Sequence, residues 1–384
     1  MNKIPITDTD ELNSLCVRLA SSEYLTVDTE FLRTSTYYSK LCLIQIANEN
    51  GAWAIDPLAE KLDLTAFYQL LNEGSPIKVF HASRQDIEIF YQATGKVPTP
   101  LFDTQLAAMV CGFGDSAGYE MLVKSILQKS IDKSVRLTDW SRRPLNDRQI
   151  EYALSDVTHL RDIYKTLKSR VLETKRSPWL IEEMKILNNP ETYAMRVENA
   201  WLRIKTKSNN KRFIGYIRAL GTWRENEAQS RNIPRNRVLR DEILLEIAAH
   251  PPMNSNELSK IRNLPKRYIS GPEGVKILKA LSVVIDLPEN QLPQPTKRKN
   301  PNDKAGPALD LLKVLLKDTC QKEGVAAKLL ASSDDLEAMA TSSHDDIPAL
   351  HGWRYELFGK NALALLKGKL ALTADGSKVK ILKN

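Results

Sequence analysis

The stretch that decides the fold is YLTVDTEFLRTSTYYSKLCLIQIANENGAWAI, residues 24–55. Tyr24 to Glu30 is rich in β-branched and apolar residues, and Leu41 to Ala47 is an apolar run interrupted only by Gln45. Ala52 to Ile55 is a third apolar run, joined to the second by Asn48-Glu-Asn-Gly51. A short connection ending in Asn-Gly is a strong hairpin signal. Three strands in succession therefore open this region. Working outward, Ile77 to Ala82 (IKVFHA) predicts a fourth strand, with helical patterns before it (Leu62 to Leu71) and after it (Asp86 to Gln92). Further helices are expected at Asp103 to Val110 and Gly118 to Leu127. The clearest helix runs from Asn146 to about Arg170, where Ile150, Leu154, Val157, Leu160 and Tyr164 recur every three or four positions. Pro144 precedes it and Asn146 is placed to cap it. Strands first, then strands alternating with helices, predict an α/β domain over residues 1–177, a mixed sheet flanked by helices.

From Pro178 onward no strand pattern stands out. A connector over 178–207 is expected, helical at Glu182 to Asn188 and Tyr193 to Lys205. Two all-α blocks follow, 208–289 and 307–384, which read as a diverged repeat without a fixed period. Between them NQLPQPTKRKNPNDKAG, residues 290–306, is dense in Pro, Lys and Asn and poor in apolar residues, the composition of a linker.

Bulk composition agrees with several domains in one chain. At 384 residues the length suggests about two or three domains. With 42% hydrophobic and 27% charged residues, usage is that of a globular protein, which rules out wholesale disorder. The net charge of +8 and a pI near 9.1 suit a polyanionic partner without requiring one. Cys16, Cys42, Cys111 and Cys320 lie far apart, which argues against a disulfide framework or a cysteine-rich zinc site and fits a reducing compartment. The first residues carry acids where a signal peptide needs an apolar core, and no run approaches 18 apolar residues. A cytoplasmic monomer without a membrane partner is the expectation.

Asp28 and Glu30 stand two apart on a predicted strand, so both side chains leave the same face. Paired carboxylates repel and stay ionised when a cation lies between them, and oxygen-only donors suit Mg²⁺ or Mn²⁺. Alone the spacing is weak, because Asp86-Ile-Glu88 and Asp335-Leu-Glu337 repeat it. Tyr152 and Asp156 are four apart on the strong helix and share a face. Asp156 adjoins the apolar stripe, where an uncompensated acid costs several kcal/mol. Asp86 lies just beyond the strand IKVFHA, where an N-cap is the plain expectation, and Asp103 reads as an N-cap only.

The order of these features is more informative than any one of them. D-x-E on a first strand, F-H-x-x-x-x-D after a later strand and Y-x-x-x-D on a late helix resemble the three motifs of the DEDD exonuclease superfamily, in its tyrosine branch. The position five before Asp156 is Glu151, where the histidine branch has His. VDTEFLRTSTYYSKLCLIQIA, FHASRQDIEIF, FDTQLAAM, DKSVRLTDWSRRPL and YALSDVTHLRDIY resemble the blocks of the ribonuclease D family. GTWRENEAQSRNIPRNRVLRDEILLEIAAHPP resembles an HRDC domain, and the block containing LHGWRYELFG resembles a second, more diverged copy. The resemblance implies a ribonuclease H-like exonuclease fold, followed by HRDC-like domains, and hydrolysis of RNA from its 3′ end to 5′-mononucleotides. It implies two divalent ions, Mg²⁺ or Mn²⁺, held by Asp28, Glu30, Asp86 and Asp156. Two metals roughly 4 Å apart supply an activated water, in-line geometry and charge neutralisation. Asp28 is assigned as the bridging ligand, Glu30 and Asp156 to the nucleophile side, and Asp86 to the second ion. Tyr152 is expected to position the attacking water, since a phenol of pKa about 10 is a poor base. Phe31, Gln45, His81 and Arg84 are candidate substrate contacts, each with a purely structural reading beside it.

Charge concentrates in one segment. Arg196 to Arg240 holds 12 Lys/Arg against 3 Asp/Glu, together with Trp201, Phe213, Tyr216 and Trp223. The cations are expected to track RNA phosphates, and the aromatics to form a helical core. The implied partners are tRNA precursors and other stable RNAs with single-stranded 3′ ends. A DNA exonuclease of proofreading type and a non-catalytic RNA-binding module are the competing readings.

Overall fold

The structure, a computed structural model, describes residues 4–294, 306–341 and 346–383. Most of the segment read as a linker lies outside the described residues. The chain runs α1 (Thr9–Leu19), β1 (Tyr24–Leu32), β2 (Lys40–Ala47), β3 (Ala52–Ile55), α2 (Thr65–Glu73), β4 (Ile77–Phe80), α3 (Arg84–Thr94), β5 (Leu101–Asp103), α4 (Thr104–Val110), α5 (Tyr119–Leu127), α6 (Asp147–Glu173) and α7 (Ser177–Asn188). The five strands form a mixed sheet in the order β3-β2-β1-β4-β5. β1, β4 and β5 run parallel, with Tyr24 opposite Ile77 and Phe80 opposite Asp103, while β2 and β3 are antiparallel.

Alternation along β1 divides its labour between the two faces of the sheet. Leu25 and Val27 join Ile44 and Ile46 of β2 in a core closed by Leu12, Leu15 and Leu19 of α1 and Phe67, Leu70 and Leu71 of α2. The residues between them, Thr26, Asp28 and Glu30, turn the other way. Thr26 donates from its hydroxyl to the Val157 carbonyl at 2.8 Å, so this second face meets α6. α6 is fastened at its start by a reciprocal capping box between Asn146 and Gln149. Leu160 and Tyr164 pack it against Tyr24 and Val79.

Contacts group residues 4–30, 41–193 and 306–383 into one compact unit, and 31–40 and 194–294 into another. In the first unit, α14 (Gly306–Glu323), α15 (Ala327–Leu330), α16 (Ser333–Ala340), α17 (Gly352–Arg354) and α18 (Lys360–Leu366) share a core with α4, α5, α6 and α7. Leu312, Leu315 and Phe358 meet Ala108, Val123 and Leu167 there. This block is not all helical: it ends in a hairpin of β6 (Leu370–Asp375) and β7 (Lys378–Lys383). Only Leu370 of the two strands is buried, and the one alternation, Lys378-Val379-Lys380-Ile381 of β7, is four residues long.

The second unit is helical, built from α8 (Lys211–Ser230), α9 (Arg235–Val238), α10 (Asp241–Ala249), α11 (Ser255–Leu258), α12 (Arg267–Ser270) and α13 (Pro272–Ile285). Its core holds Ile217, Leu220, Trp223, Leu244, Tyr268 and Leu281, together with Tyr37 from the connection between β1 and β2. The helix expected at Tyr193 to Lys205 is instead two 3₁₀ turns, Pro190–Thr192 and Val197–Arg203. The second turn lies so close to α8 that a Cβ on Gly221 would stand 3.0 Å from the Trp201 Cα, tighter than most side-chain contacts, which favours glycine there.

Candidate active site

β1 and α6 bring Asp28, Glu30 and Asp156 together: one carboxylate oxygen from each lies within 4.8 Å of the other two. The first pair are neighbours through the two-residue strand period, and the third arrives because Thr26 anchors α6 at Val157, one residue beyond Asp156. Asp86 is not the cap of α3. It sits buried in the first turn, where it accepts the Thr29 hydroxyl at 2.5 Å; it lies outside the set of three but close enough for its charge to raise Asp28 and Glu30. Tyr152, one helical turn before Asp156, hydrogen-bonds to its carboxylate. Trp140 packs against the Tyr152 ring with centroids 6.2 Å apart.

The electrostatics of this cluster are those of acids short of a counter-charge. Burial, then the charges of Asp86, Asp156 and Glu30, push the Asp28 carboxyl well above the usual range. Glu30 is pushed up to about 8, by burial and then by Asp156 and Asp86. Burial pushes Asp86 and Asp156 up to about 7, against the opposing hydrogen bonds from Thr29 and Tyr152 respectively. The Tyr152 phenol is raised by burial and by Asp156, so it stays protonated. Four carboxyls forced together and offering only oxygen are a poor structural cluster and a good seat for hard divalent cations. The residues present fit such ions.

Two further residues act here that sequence reasoning missed. Asp103 does cap α4, accepting from Gln105 and Leu106. It also accepts from the Ser83 backbone and hydroxyl, both at 2.8 Å, and from the Ala82 N–H at 3.3 Å. Ala82 has φ 55°, a left-handed conformation costing an L-residue roughly 1–2 kcal/mol. Asp103 thus clamps the strained turn that launches α3 and aims Asp86. The signal was invisible because it depends on β5 lying beside β4. Tyr119 donates to the Asp156 carbonyl, and its own phenol is raised by burial and then by Asp156, Asp28 and Tyr152.

The four substrate-contact candidates separate. Gln45 is fully buried, and among the described residues its side-chain amide has no hydrogen-bond partner. It therefore presents no surface to a substrate here, which corrects that expectation. His81 is half-buried, with Nδ1 3.0 Å from the Thr104 hydroxyl and its ring 5.4 Å from Tyr119; burial lowers its pKa. Arg84 is exposed at the start of α3, and Phe31 is half-buried near the end of β1. On the outer face of α6 a groove of about 460 Å³ opens beside Tyr152, lined also by Arg148, Ser155 and His159.

In the helical unit the basic segment is partly consumed by its own fold. Arg224 pairs with Asp241 at 2.6 Å, Arg235 pairs with Glu225, and Arg212 donates to the carbonyls of Val284, Ile285 and Leu287. Arg203, Lys205, Lys207, Arg218, Arg231, Arg237 and Arg240 stay exposed. Tyr216 and Trp223 lie in the core with Trp201 and Phe213 packed against it, as the aromatic spacing suggested.

Comparisons with known proteins match two parts of the chain. Residues 4–172 match the 3'-5' exonuclease family and residues 215–281 match the HRDC domain. The chain is 46% identical over 378 residues to the ribonuclease D of Granulibacter bethesdensis, covering 98% of this chain and 96% of that one. It is 48% identical over 381 residues to the ribonuclease D of a Jannaschia species, covering 98% of each. It also matches the crystal structure of Escherichia coli RNase D, an exoribonuclease involved in structured RNA processing. That match has a TM-score of 0.81 at 30% identity and covers 96% of this chain and 99% of that one.

Proposed function

The chain belongs to the ribonuclease D family and is a hydrolytic 3′→5′ exoribonuclease, and from that premise we propose that it trims the 3′ ends of structured RNAs, tRNA precursors among them, to release 5′-mononucleotides. The observation that carries this reading is the meeting of Asp28, Glu30 and Asp156 within 4.8 Å, with Asp86 beside them. We assign two divalent ions, Mg²⁺ or Mn²⁺, to these four residues, with Asp28 shared, Glu30 and Asp156 on the nucleophile side and Asp86 supporting the second ion. When bound, such ions activate a water, template in-line attack and neutralise charge on the leaving oxygen.

The chain's own groups do the positioning. The Tyr152 phenol keeps its proton and acts on the Asp156 carboxylate, and its oxygen lone pairs can accept from the attacking water. Its raised pKa suits it to that role and not to a full base. Thr29 fixes the Asp86 carboxylate, and Asp103 fixes the turn that carries it. His81, Arg84 and Phe31 border the site in sequence and are assigned to the substrate's sugar, phosphate and base.

We take the domain limits as 1–177 for the nuclease, 178–207 for the connector, 208–289 for the HRDC domain, 290–306 for the linker and 307–384 for a second HRDC-like block. The exposed cations of the helical unit would hold the body of the RNA. We place the enzyme in the cytoplasm as a monomer; among the described residues its four cysteines form no disulfide, which suits a reducing compartment. No described helix is long and apolar enough to cross a membrane.

The test is one gel of 3′-labelled and 5′-labelled RNA, with and without EDTA. A 3′ label released at once as mononucleotide, a 5′-labelled ladder that shortens gradually, and silence in EDTA are expected. Internal cuts, or activity that survives EDTA, would overturn the reading.

A further inference from the structure

Between α5 and α6 the chain runs for 19 residues, 128–146, without a helix or strand. Irregular segments of that length inside a compact unit are uncommon and usually functional. This one is held down at several points. Arg143 forms a two-pronged ion pair with Asp56 at 2.6 Å and donates to the Cys42 carbonyl at 2.6 Å. Gln149 of α6 donates to the Thr138 hydroxyl at 3.1 Å. Trp140 is buried against Tyr152 and donates from its indole to the Arg136 carbonyl at 3.4 Å. Lys133 pairs with Glu120 of α5.

What these anchors hold out is the pair Arg136–Leu137. Leu137 is 95% exposed, the most exposed large hydrophobic residue among those described. A single exposed leucine needs no explanation on most surfaces. Here, however, the two residues around it are fastened to the turn beside Tyr152, and the arginine before it exerts its charge on Glu30, Tyr152 and Asp156. Arg136 is itself exposed.

We propose that the Arg136–Leu137 tip is a contact for the 3′-terminal nucleotide of the RNA, Leu137 packing on its base and Arg136 meeting its phosphate. The phosphate to be cut must come to the carboxylate cluster, and Arg136 is tied beside it by Trp140, whose indole donates to the Arg136 carbonyl and whose ring packs on Tyr152, one turn from Asp156. A leucine offers apolar surface and no hydrogen-bonding edge, so it supports any of the four bases equally. That is what an enzyme removing successive nucleotides needs. The contact rests on the nuclease reading above and specifies how that site grips its substrate.

The experiment uses the full chain, single-stranded RNA octamers, and an octamer whose 3′-terminal nucleotide lacks its base. Leu137→Ala is expected to raise KM about tenfold with kcat little changed, the loss typical of one base–side-chain contact. Leu137→Met should restore most of it. Removing the terminal base should cost the native enzyme at least that factor, and should cost Leu137→Ala distinctly less than it costs the native enzyme, the remainder being the contact assigned to Phe31. Arg136→Ala should lower kcat/KM on both octamers alike. Because the Leu137 side chain stands in solvent, its variants should melt with the native protein, so a change in KM is not a folding effect. An unchanged KM in Leu137→Ala, or base and leucine penalties that simply multiply, would overturn the contact while leaving the nuclease reading intact. If the native enzyme fails to shorten the ordinary octamer from its 3′ end, that reading falls instead.

Discussion

Two of the places where this chain buries acidic groups treat them in opposite ways. In the nuclease region Asp28, Glu30, Asp86 and Asp156 are crowded together, and each carboxyl is driven up in pKa by burial, with Asp28 driven further by Asp86, Asp156 and Glu30, and Glu30 by Asp156 and Asp86. In the helical unit Glu225 is only 3% exposed, yet its pKa is lowered. Burial pushes it up, but hydrogen bonds from Arg235 and Tyr37 and the charge of Arg235 more than offset that. A fold can evidently satisfy a buried acid when stability is all that is at stake. That it leaves four others unsatisfied in one place marks the place as built for a charge from outside.

The largest effect should come from removing one acid of the unsatisfied cluster. Asp28→Asn should cost at least about a thousandfold in RNA degradation, since groups that act as a unit fail together. RNA binding should survive. The same change relieves the repulsion among Asp28 and its three neighbours, so in EDTA at pH 8 the variant should melt above the native protein. A variant that loses activity and melts lower would mean that Asp28 is a structural acid. The comparison would then break.

Glu225→Gln makes the opposite statement. It strips the charge from a carboxylate that accepts two bonds from Arg235 and one from Tyr37. Breaking a buried pair from one side costs about 3–5 kcal/mol; the lower figure applies because Arg235 keeps about a third of its side chain in solvent. Thermal or urea unfolding should show the loss, with kcat on short oligomers little changed. A neutral substitution would show that the pair contributes no stability.

The contrast also predicts a pH dependence. A carboxyl whose native pKa lies above its unfolded value holds its proton longer in the folded chain. From about pH 4 upward the unfolded chain releases protons that the cluster retains, so stability falls. The fall should continue until about pH 7 for Asp86 and Asp156 and about pH 8 for Glu30. In EDTA, melting at pH 8.5 should therefore lie below that at pH 6, by a loss on the order of a few kcal/mol. Excess Mg²⁺ should restore stability most where the acids are ionised. A metal-free protein whose melting temperature is level across this range would refute the raised values.

Why so much of this could be read in the sequence, and why the rest could not, follows from range. The first three strands and α6 declare themselves through local period, and two of the cluster's spacings are local too: Asp28 to Glu30 along a strand and Tyr152 to Asp156 along a helix. α1 is legible in the same way, since Leu12, Leu15, Cys16 and Leu19 share a buried face. Asp8 caps it, with Asp10 and Glu11 in its first turn, a helix start signal although no helix was expected there. β5 is three residues long, too short to show alternation. Convergence is another matter. Asp103 reaches Ser83 only because Phe80 and Asp103 are register partners, and Tyr119 reaches Asp156 across 37 positions. No local pattern encodes either distance. Arg235 and Glu225 lie ten apart, yet the third member of their cluster, Tyr37, comes from 188 positions upstream of Glu225.

Tyr37 supplies the smallest and sharpest of these tests. Its hydroxyl donates to Glu225 and accepts from Arg235 and from Gln229, each at 3.1 Å, and burial raises the phenol to about 12, so it remains a donor at any working pH. Its backbone N–H and that of Tyr38 both donate to the Asn232 side chain at 3.1 Å. Tyr37→Phe removes the bond to Glu225 and the two that the hydroxyl accepts from Arg235 and Gln229, while leaving the two bonds from Arg235 to Glu225 and the backbone anchors in place. About 1–2 kcal/mol should be lost: the net worth of the buried bond to Glu225, with a smaller part from two donors that can turn to other acceptors. If unfolding instead shows a loss as large as that of Glu225→Gln, the tyrosine and not the arginine is what satisfies the buried acid. The comparison with the nuclease cluster would then turn on hydrogen bonding in place of charge, because the acids there are also hydrogen-bonded, by Thr29 and Tyr152, and remain raised all the same.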